Sequence, residues 1–383
     1  MNSKKGSSPT IIHIIDFSNR NTWLENQFEF FSKSGIAQAL ITYAQPGAIT
    51  EFLSSEGFEK VKTVKPGVIN FLRSILIVKS WAKSDSTIIF AHGHWPSIYA
   101  YLLKRIAGIE FIVIHHQQPN FFRFYKSIKK VTSLIHTKLA TLYCRHATYI
   151  QSFSPEVSQK LMEVGIPYSN LLEIPLGIPF PNHVSTSQHR SRIDSEVIQI
   201  ISISRLVWEK RIELGIRSVH RLIQEGYQID YRIVGFGPDL QRLQSLTKDL
   251  GISKSVQFMG WRNDVSNLLS SADFFFHLAL TESYGQVLME ARLAEIPIYT
   301  SRCGVALEFL ENQDLSVGFF DSEDSTEVAN GFGNFILSVH GKQAVSDPNL
   351  AKDLYARHEH VSVMKELLKV LQIYFNLPAT QPL

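Results

Sequence analysis

Glu282 and Glu290 stand eight residues apart in TESYGQVLMEA (281–291), with Gly285 between them and a helix-forming run after it. Gly285 permits a tight turn and a close backbone approach. A helix that starts beside a strand end offers unpaired N–H groups and a positive dipole end, a seat for phosphate. Glu290 falls about 7 Å along such a helix at ~1.5 Å per residue. Its carboxylate can accept two hydroxyl hydrogen bonds, as a ribose diol offers. Glu282, on the other side of the phosphates, could accept from sugar hydroxyls. The spacing therefore suits a sugar–diphosphate–nucleoside lying across the helix tip. The plainer alternative is one glutamate complementing the helix dipole and one exposed helical glutamate.

Further candidates sit at other strand ends. In ISISRLVWEKRIE, Arg205 and Lys210 follow a strand and could clamp a diphosphate and stabilise its departure. The competing reading is a solvated basic run shared with Glu209 and Arg211. IVGFGPDLQRL gives a strand, a Gly-x-Gly-Pro turn and a helix, so Gly235 and Gly237 are expected as turn-formers lining the site. The third glycine of a dinucleotide fingerprint is missing. His115 and His116 follow the strand EFIVI, and His92, Gly93 and His94 follow TIIFA. An imidazole there could orient a sugar hydroxyl or simply be structural. The His-x-His pair lacks a third ligand at convincing spacing, so cleft lining is expected and no metal site.

These positions need a scaffold. Short β-branched runs are expected as strands at 11–17, 38–43, 87–92, 110–115, 147–152 and 171–176. Six more are expected at 198–204, 230–235, 256–260, 273–279, 296–301 and 316–321. Runs such as IIFA and FFFHL are apolar on both faces, as central strands of a parallel sheet are. Helical patterns at 207–226 and 238–250 alternate with them. The reading is α/β, a doubly wound sheet occurring twice, with ligands at the strand carboxyl ends. The break falls in the Pro-, Ser- and His-rich stretch 177–196. The expected domains are 1–185, 186–359 and a last amphipathic helix over 360–383.

The 383 residues are 44% hydrophobic and 19% charged, which fits an ordinary globular protein of two domains. No apolar run reaches the ~18 residues of a membrane span, and the N-terminal stretch reads as a tail and a first strand. Two cysteines form no disulfide framework, so a reducing cytoplasm is the expected compartment. Residues 1–190 carry 20 Lys and Arg against 11 Asp and Glu, whereas 191–383 carry 18 against 24. A basic first half suits an anionic surface or acceptor. Within it, NFFRFYKSIKKV (120–131) interleaves aromatics with Arg123, Lys126, Lys129 and Lys130, the parts of a membrane-interface patch. No nucleic-acid-binding motif accompanies it.

SRLVWEKR, IVGFGPDLQRL, VQFMGWRNDVSNLLSSADFFFHLALTESYGQVLMEA and PIYTSRCGVALEFL occur in that order. Together they resemble the nucleotide-sugar domain of the GT-B retaining glycosyltransferases of family 4. SFSPEVSQKLMEVGIP and EIPLGIPF resemble that family's approach to its hinge. The resemblance implies two Rossmann-like domains facing across a cleft, donor in the second, acceptor in the first. It implies that Glu290 binds the donor ribose and Glu282 contacts the transferred sugar. Arg205 and Lys210 would bind the diphosphate, and His116 would lie near the sugar. The backbone at Tyr284, Gly285, Gln286 and Val287 would meet sugar and phosphate, and the segment after Gly260, beginning Trp261 and Arg262, the base. It implies retention of anomeric configuration, no obligatory metal and no cofactor beyond the nucleotide-sugar donor, UDP ahead of GDP. DSEDS (321–325) is then a surface loop, and the last helix returns to the first domain.

One feature departs from the family. Where it has a Gly-Gly loop after the first strand, DFSNRNTWLENQ (16–27) has no glycine. Asn19 and Arg20 are the acceptor-side candidates there. The expectation is a glycosyltransferase acting in bacterial surface polysaccharide or lipid-linked glycan assembly, cytoplasmic, at the inner membrane face. The rivals are a non-catalytic nucleotide-sugar-binding or scaffold subunit, an epimerase of the same fold, and a two-Rossmann oxidoreductase. The last would need a complete Gly-x-Gly-x-x-Gly after the first strand.

Overall fold

Segments of β-branched and aliphatic residues, apolar on both faces, can satisfy their backbone groups and their side chains at once in the middle of a parallel sheet. The computed structural model describes residues 10–18, 21–65, 68–82, 87–114, 142–178, 197–307, 316–339 and 356–375. Its strands form two such sheets. The first comprises β1 (Thr10–Ile15), β2 (Ala37–Thr42), β3 (Val61–Thr63), β4 (Thr87–His92), β5 (Glu110–Ile114), β6 (Tyr149–Ser152) and β7 (Leu171–Glu173), in the order 3-2-1-4-5-6-7. The second comprises β8 (Val197–Ile203), β9 (Gln228–Val234), β10 (Val256–Gly260), β11 (Phe274–His277), β12 (Ile298–Ser301) and β13 (Val317–Phe320), in the order 10-9-8-11-12-13. In each, strand order reverses beside the first strand, between β1 and β4 and between β8 and β11. Each reversal is the point where a doubly wound sheet opens a crevice at its carboxyl ends.

The chain divides into Met1–Pro179 with Arg357–Leu383, and Phe180–Ala356. The last helix, His360–Phe375, thus belongs with the first sheet. A short parallel bridge ties it there: Ile178 N–H donates to His358 O and His360 N–H to Ile178 O, both at 3.0 Å. A glycine is required at 177, because a Cβ there would sit 2.9 Å from His360 Cα.

Two local expectations fail for physical reasons. β3 was not expected: Val-Lys-Thr is short and partly polar, an edge strand that among the described residues pairs only with β2. The single helix expected over 207–226 is interrupted. A 3₁₀ turn covers Trp208–Lys210, Arg211 adopts φ 49°, and the α-helix starts at Ile212.

The first unit places a polar chain in its core. Gln38 Nε2 donates to Phe28 O, which leaves Gln38 Oε1 as the acceptor for His13 Nε2 at 3.3 Å. His13 Nδ1 must then accept from His92 Nε2 at 3.1 Å. Burial, opposed by the Gln38 bond, holds His13 neutral, its pKa lowered to about 3. His92, expected to line a cleft, is instead a core residue; it is 2% exposed.

The second unit buries an aromatic group under β11 and β12. Phe332 lies 5.5 Å from Phe274, 4.8 Å from Phe276 and 5.1 Å from Tyr299, ring centre to ring centre. Phe332→Ala should destabilise the protein by about 3–5 kcal/mol, read as a lower denaturation midpoint at unchanged slope. A change below 1 kcal/mol would show that this group does not hold the sheet's helical face.

Candidate functional site

The site is built at the β8/β11 reversal. β11 ends in His277, and the chain leaves the sheet as Leu278-Ala279-Leu280-Thr281-Glu282. Three carbonyl and amide groups of this segment are held by its neighbours through four hydrogen bonds. Arg211 Nε donates to Leu278 O at 2.7 Å and its Nη2 to Ala279 O at 3.4 Å. Leu280 N–H donates to Glu209 O at 2.8 Å. On the β12 side, Ser301 Oγ donates to Ala279 O. Arg211 is thus no part of a solvated basic run. Its side chain is 15% exposed, its backbone is left-handed, and its guanidinium meets the carbonyls just after β11.

So fixed, the segment presents Glu282 to Lys210, which donates to Oε1 from 72 residues upstream. His277 Nε2 lies 3.3 Å from the same oxygen. Burial pushes the Glu282 carboxyl up, but His277 and Lys210 outweigh it and bring the pKa to about 2. Burial in turn lowers His277, against the pull of Glu282.

Gly285 follows at φ 90°, and the helix Gln286–Leu293 starts immediately. Tyr284 and Gly285 are buried, Gln286 and Val287 half-buried. Glu290 sits one turn into the helix and accepts from Gln286 Nε2 at 3.0 Å. Burial, only partly offset by that bond, raises its pKa to about 7. The two glutamates are thus poised oppositely, Glu282 ionised and Glu290 half-protonated near neutrality.

The remaining expected residues are placed as follows. Arg205 is exposed in the loop after β8. Gly235 and Gly237 serve close approach between the β8 and β9 loops: a Cβ would meet Ser204 O at 1.8 Å from Gly235, and Leu206 O at 2.3 Å from Gly237. Trp261 is exposed, and Arg262 donates to Asp264 at 2.8 and 2.6 Å. Trp208, Phe236 and Trp261 place exposed aromatic rings on the loops after β8, β9 and β10. His116, Asn19, Arg20 and the segment 120–131 lie outside the described residues. In DSEDS, Asp324 accepts from Thr326 and Glu327 N–H at 2.7 and 3.1 Å, capping the next helix.

Sequence reasoning missed Arg211, His277 and Gly304. Gly304 adopts φ +57°, and a Cβ there would lie 2.3 Å from Tyr284 O and 2.8 Å from Glu282 Cβ. The adjacent Val305 N–H donates to Tyr284 O at 2.6 Å. Only the Cys-Gly pair in TSRCGV hinted at it, and nothing in the sequence joins it to Glu282.

Gly304→Ala should destabilise the protein by about 1–3 kcal/mol through strain and contact with the Glu282 loop, seen as a lower melting midpoint. An unchanged midpoint would mean the loop yields freely. The raised Glu290 carboxyl means the native state binds an extra proton between pH 4.5 and about 7. Its stabilising contribution is full below 4.5 and lost as pH rises through 7. Glu290→Gln should flatten the fall in melting midpoint over that window; an identical pH profile would refute the assignment.

Residues 185–338 match the family model described as glycosyl transferases group 1. A glycosyltransferase of Methanocaldococcus jannaschii is 25% identical over 226 residues, 58% of this chain and 56% of that protein. The lipopolysaccharide glucosyltransferase WaaG of Escherichia coli is 40% identical over 128 residues, 33% of this chain and 34% of WaaG. The chain spans about half the length of the first curated relatives it matches. Among solved structures, Anabaena HepE in complex with UDP and glucose superposes with a TM-score of 0.76 at 18% identity, covering 95% of this chain and all of that one. The fold is that of the GT-B glycosyltransferases, two parallel-sheet α/β domains. The match falls in the second unit, which holds the carboxylates at the β8/β11 reversal.

Proposed function

We propose that this protein is a retaining, metal-independent glycosyltransferase. It moves a sugar from a nucleoside-diphosphate sugar to an acceptor hydroxyl during assembly of a surface polysaccharide or lipid-linked glycan. The observation that carries this reading is the pairing of Glu282 with Lys210 at the β8/β11 reversal, with Glu290 one turn into the helix that follows. A fixed cation beside an ionised carboxylate at a helix start serves both ends of such a donor. Lys210 and Arg205 would neutralise the diphosphate as it leaves, the work a divalent ion does in other enzymes. Glu282 and His116 would position the sugar, and Glu290 would accept from the ribose hydroxyls. Trp261 and Phe236 offer exposed rings for stacking a base. UDP-sugars rank ahead of GDP-sugars, in keeping with the UDP and glucose bound by HepE.

In this reading the first unit takes the acceptor, its loop after β1 doing so without glycine. The pathway is suggested by the lipopolysaccharide role in the name of WaaG. The site of action is the cytoplasmic face of a membrane. No helix among the described residues is long and apolar enough to cross one.

The test is thermal stabilisation by a panel of UDP-, GDP-, ADP- and CDP-sugars. Ligand at about 100 times its Kd adds about 2.7 kcal/mol by mass action. One nucleotide should raise the midpoint in the wild type and fail to do so in Glu290→Ala and Lys210→Ala. Its affinity should rise with pH through about 7, as Glu290 ionises. Absence of any shift in folded protein would sink the donor site. A shift without transfer to any acceptor would favour the non-catalytic binding subunit.

A further inference from the structure

The helix Val68–Trp81 is apolar on the side that faces its own sheet and apolar again on the side that faces water. Phe71, Ser74, Ile75 and Val78 are buried, and Ser74 accepts or donates the 2.7 Å bond to Tyr43 Oη beneath them. On the opposite side Ile69, Leu72 and Leu76 are 68%, 53% and 70% exposed. At 100° per residue these three fall within an arc of about 60°. Lys79 borders that arc on one edge and Arg73 on the other, and both are exposed. The helix contains no acidic residue, and from Lys60 to Ser84 the sequence carries six cations and no acid. A helix apolar on two sides normally buries both, and among the described residues nothing fills the outer one.

We propose that the outer face of helix Val68–Trp81 docks this protein on an anionic lipid surface. The charge pattern selects that occupant. Three aliphatic side chains can enter the acyl boundary while Arg73 and Lys79 extend along it to lipid phosphates, their stems covering apolar surface. A protein groove for the same aliphatics would call for carboxylates opposite the two cations. A second copy of this chain, using the same face, would bring like charges together. The surface lies in the unit that carries the basic half of the sequence, and each cation near an anionic membrane strengthens binding to it. It requires no nucleotide, so it stands independently of the donor site.

The experiment is flotation of the full chain, without nucleotide, on vesicles of phosphatidylcholine with about 30 mol% phosphatidylglycerol and on phosphatidylcholine alone. Expected is binding to the anionic vesicles only, released by about 0.5 M salt. The double substitutions Leu72→Gln/Leu76→Gln and Arg73→Gln/Lys79→Gln should each weaken it by more than about tenfold. Because these side chains are exposed, melting midpoints should be unchanged, which separates lost docking from lost folding. Binding that both variants retain, or no binding by the wild type, overturns the proposal. So does a wild-type dimer in sedimentation that Leu72→Gln/Leu76→Gln dissociates, for the face is then an interface between copies.

Discussion

Burial of one carboxylate organises the second unit. Glu282 can stay ionised out of water only if cationic or polar groups meet it there, and the partners it has lie far off in sequence. Lys210 comes from the loop after β8 and His277 from the end of β11, so the ion pair fixes two strand ends at the sheet's reversal. The neighbouring contacts serve the same end. Arg211 holds the carbonyls just before Glu282, and Gly304 admits the β12 loop against its Cβ. Remove the carboxylate's partners and the segment loses the reason for its path. A buried ion pair adds little net stability over an apolar substitute, because desolvation offsets attraction. This cluster is therefore better explained by what a fixed charge does there than by folding.

Much of the architecture could be read from the chain because parallel strands have a simple signature. TIIFAH and DFFFHLA are apolar on both faces, a pattern that only the middle of a covered sheet permits. The Glu282–Gly285–Glu290 arrangement was legible too, since a glycine before a helix-forming run is a local signal. What was not legible is tertiary in origin. Arg211 stands outside the helical region, its guanidinium bound by carbonyls just after β11, 67 and 68 residues away. No local propensity encodes that. β3 was invisible because an edge strand pairs on one side and carries no long apolar run.

Histidine shows the same limit from the other direction. His92 ends a strand, as a ligand-orienting imidazole would, and its neighbours His94 and His116 look alike in the sequence. The structure separates His92 from any surface by pairing it with His13, whose tautomer is dictated by Gln38. Two imidazoles and an amide satisfy one another inside an apolar core, a use of polar residues that needs the β1–β4 adjacency to exist. Residue type announces that a partner is needed; only the fold says which.

The two sheets share one strand order around their reversals, yet their loops solve close approach differently. In the second unit, glycines stand at 235, 237 and 304, where backbones of neighbouring loops meet. In the first, the loop after β1 has no glycine, and Ser18 occupies the tight position with its side chain. The relief comes from the next loop. Gly47 faces Ser18, where a Cβ would lie 2.7 Å from both Ser18 Cβ and Ser18 O, and Ile49 N–H donates to Ser18 O at 3.1 Å. The carboxyl end of β1 thus presents a hydroxyl-bearing residue, and the close approach of the two loops is met by the glycine that follows β2.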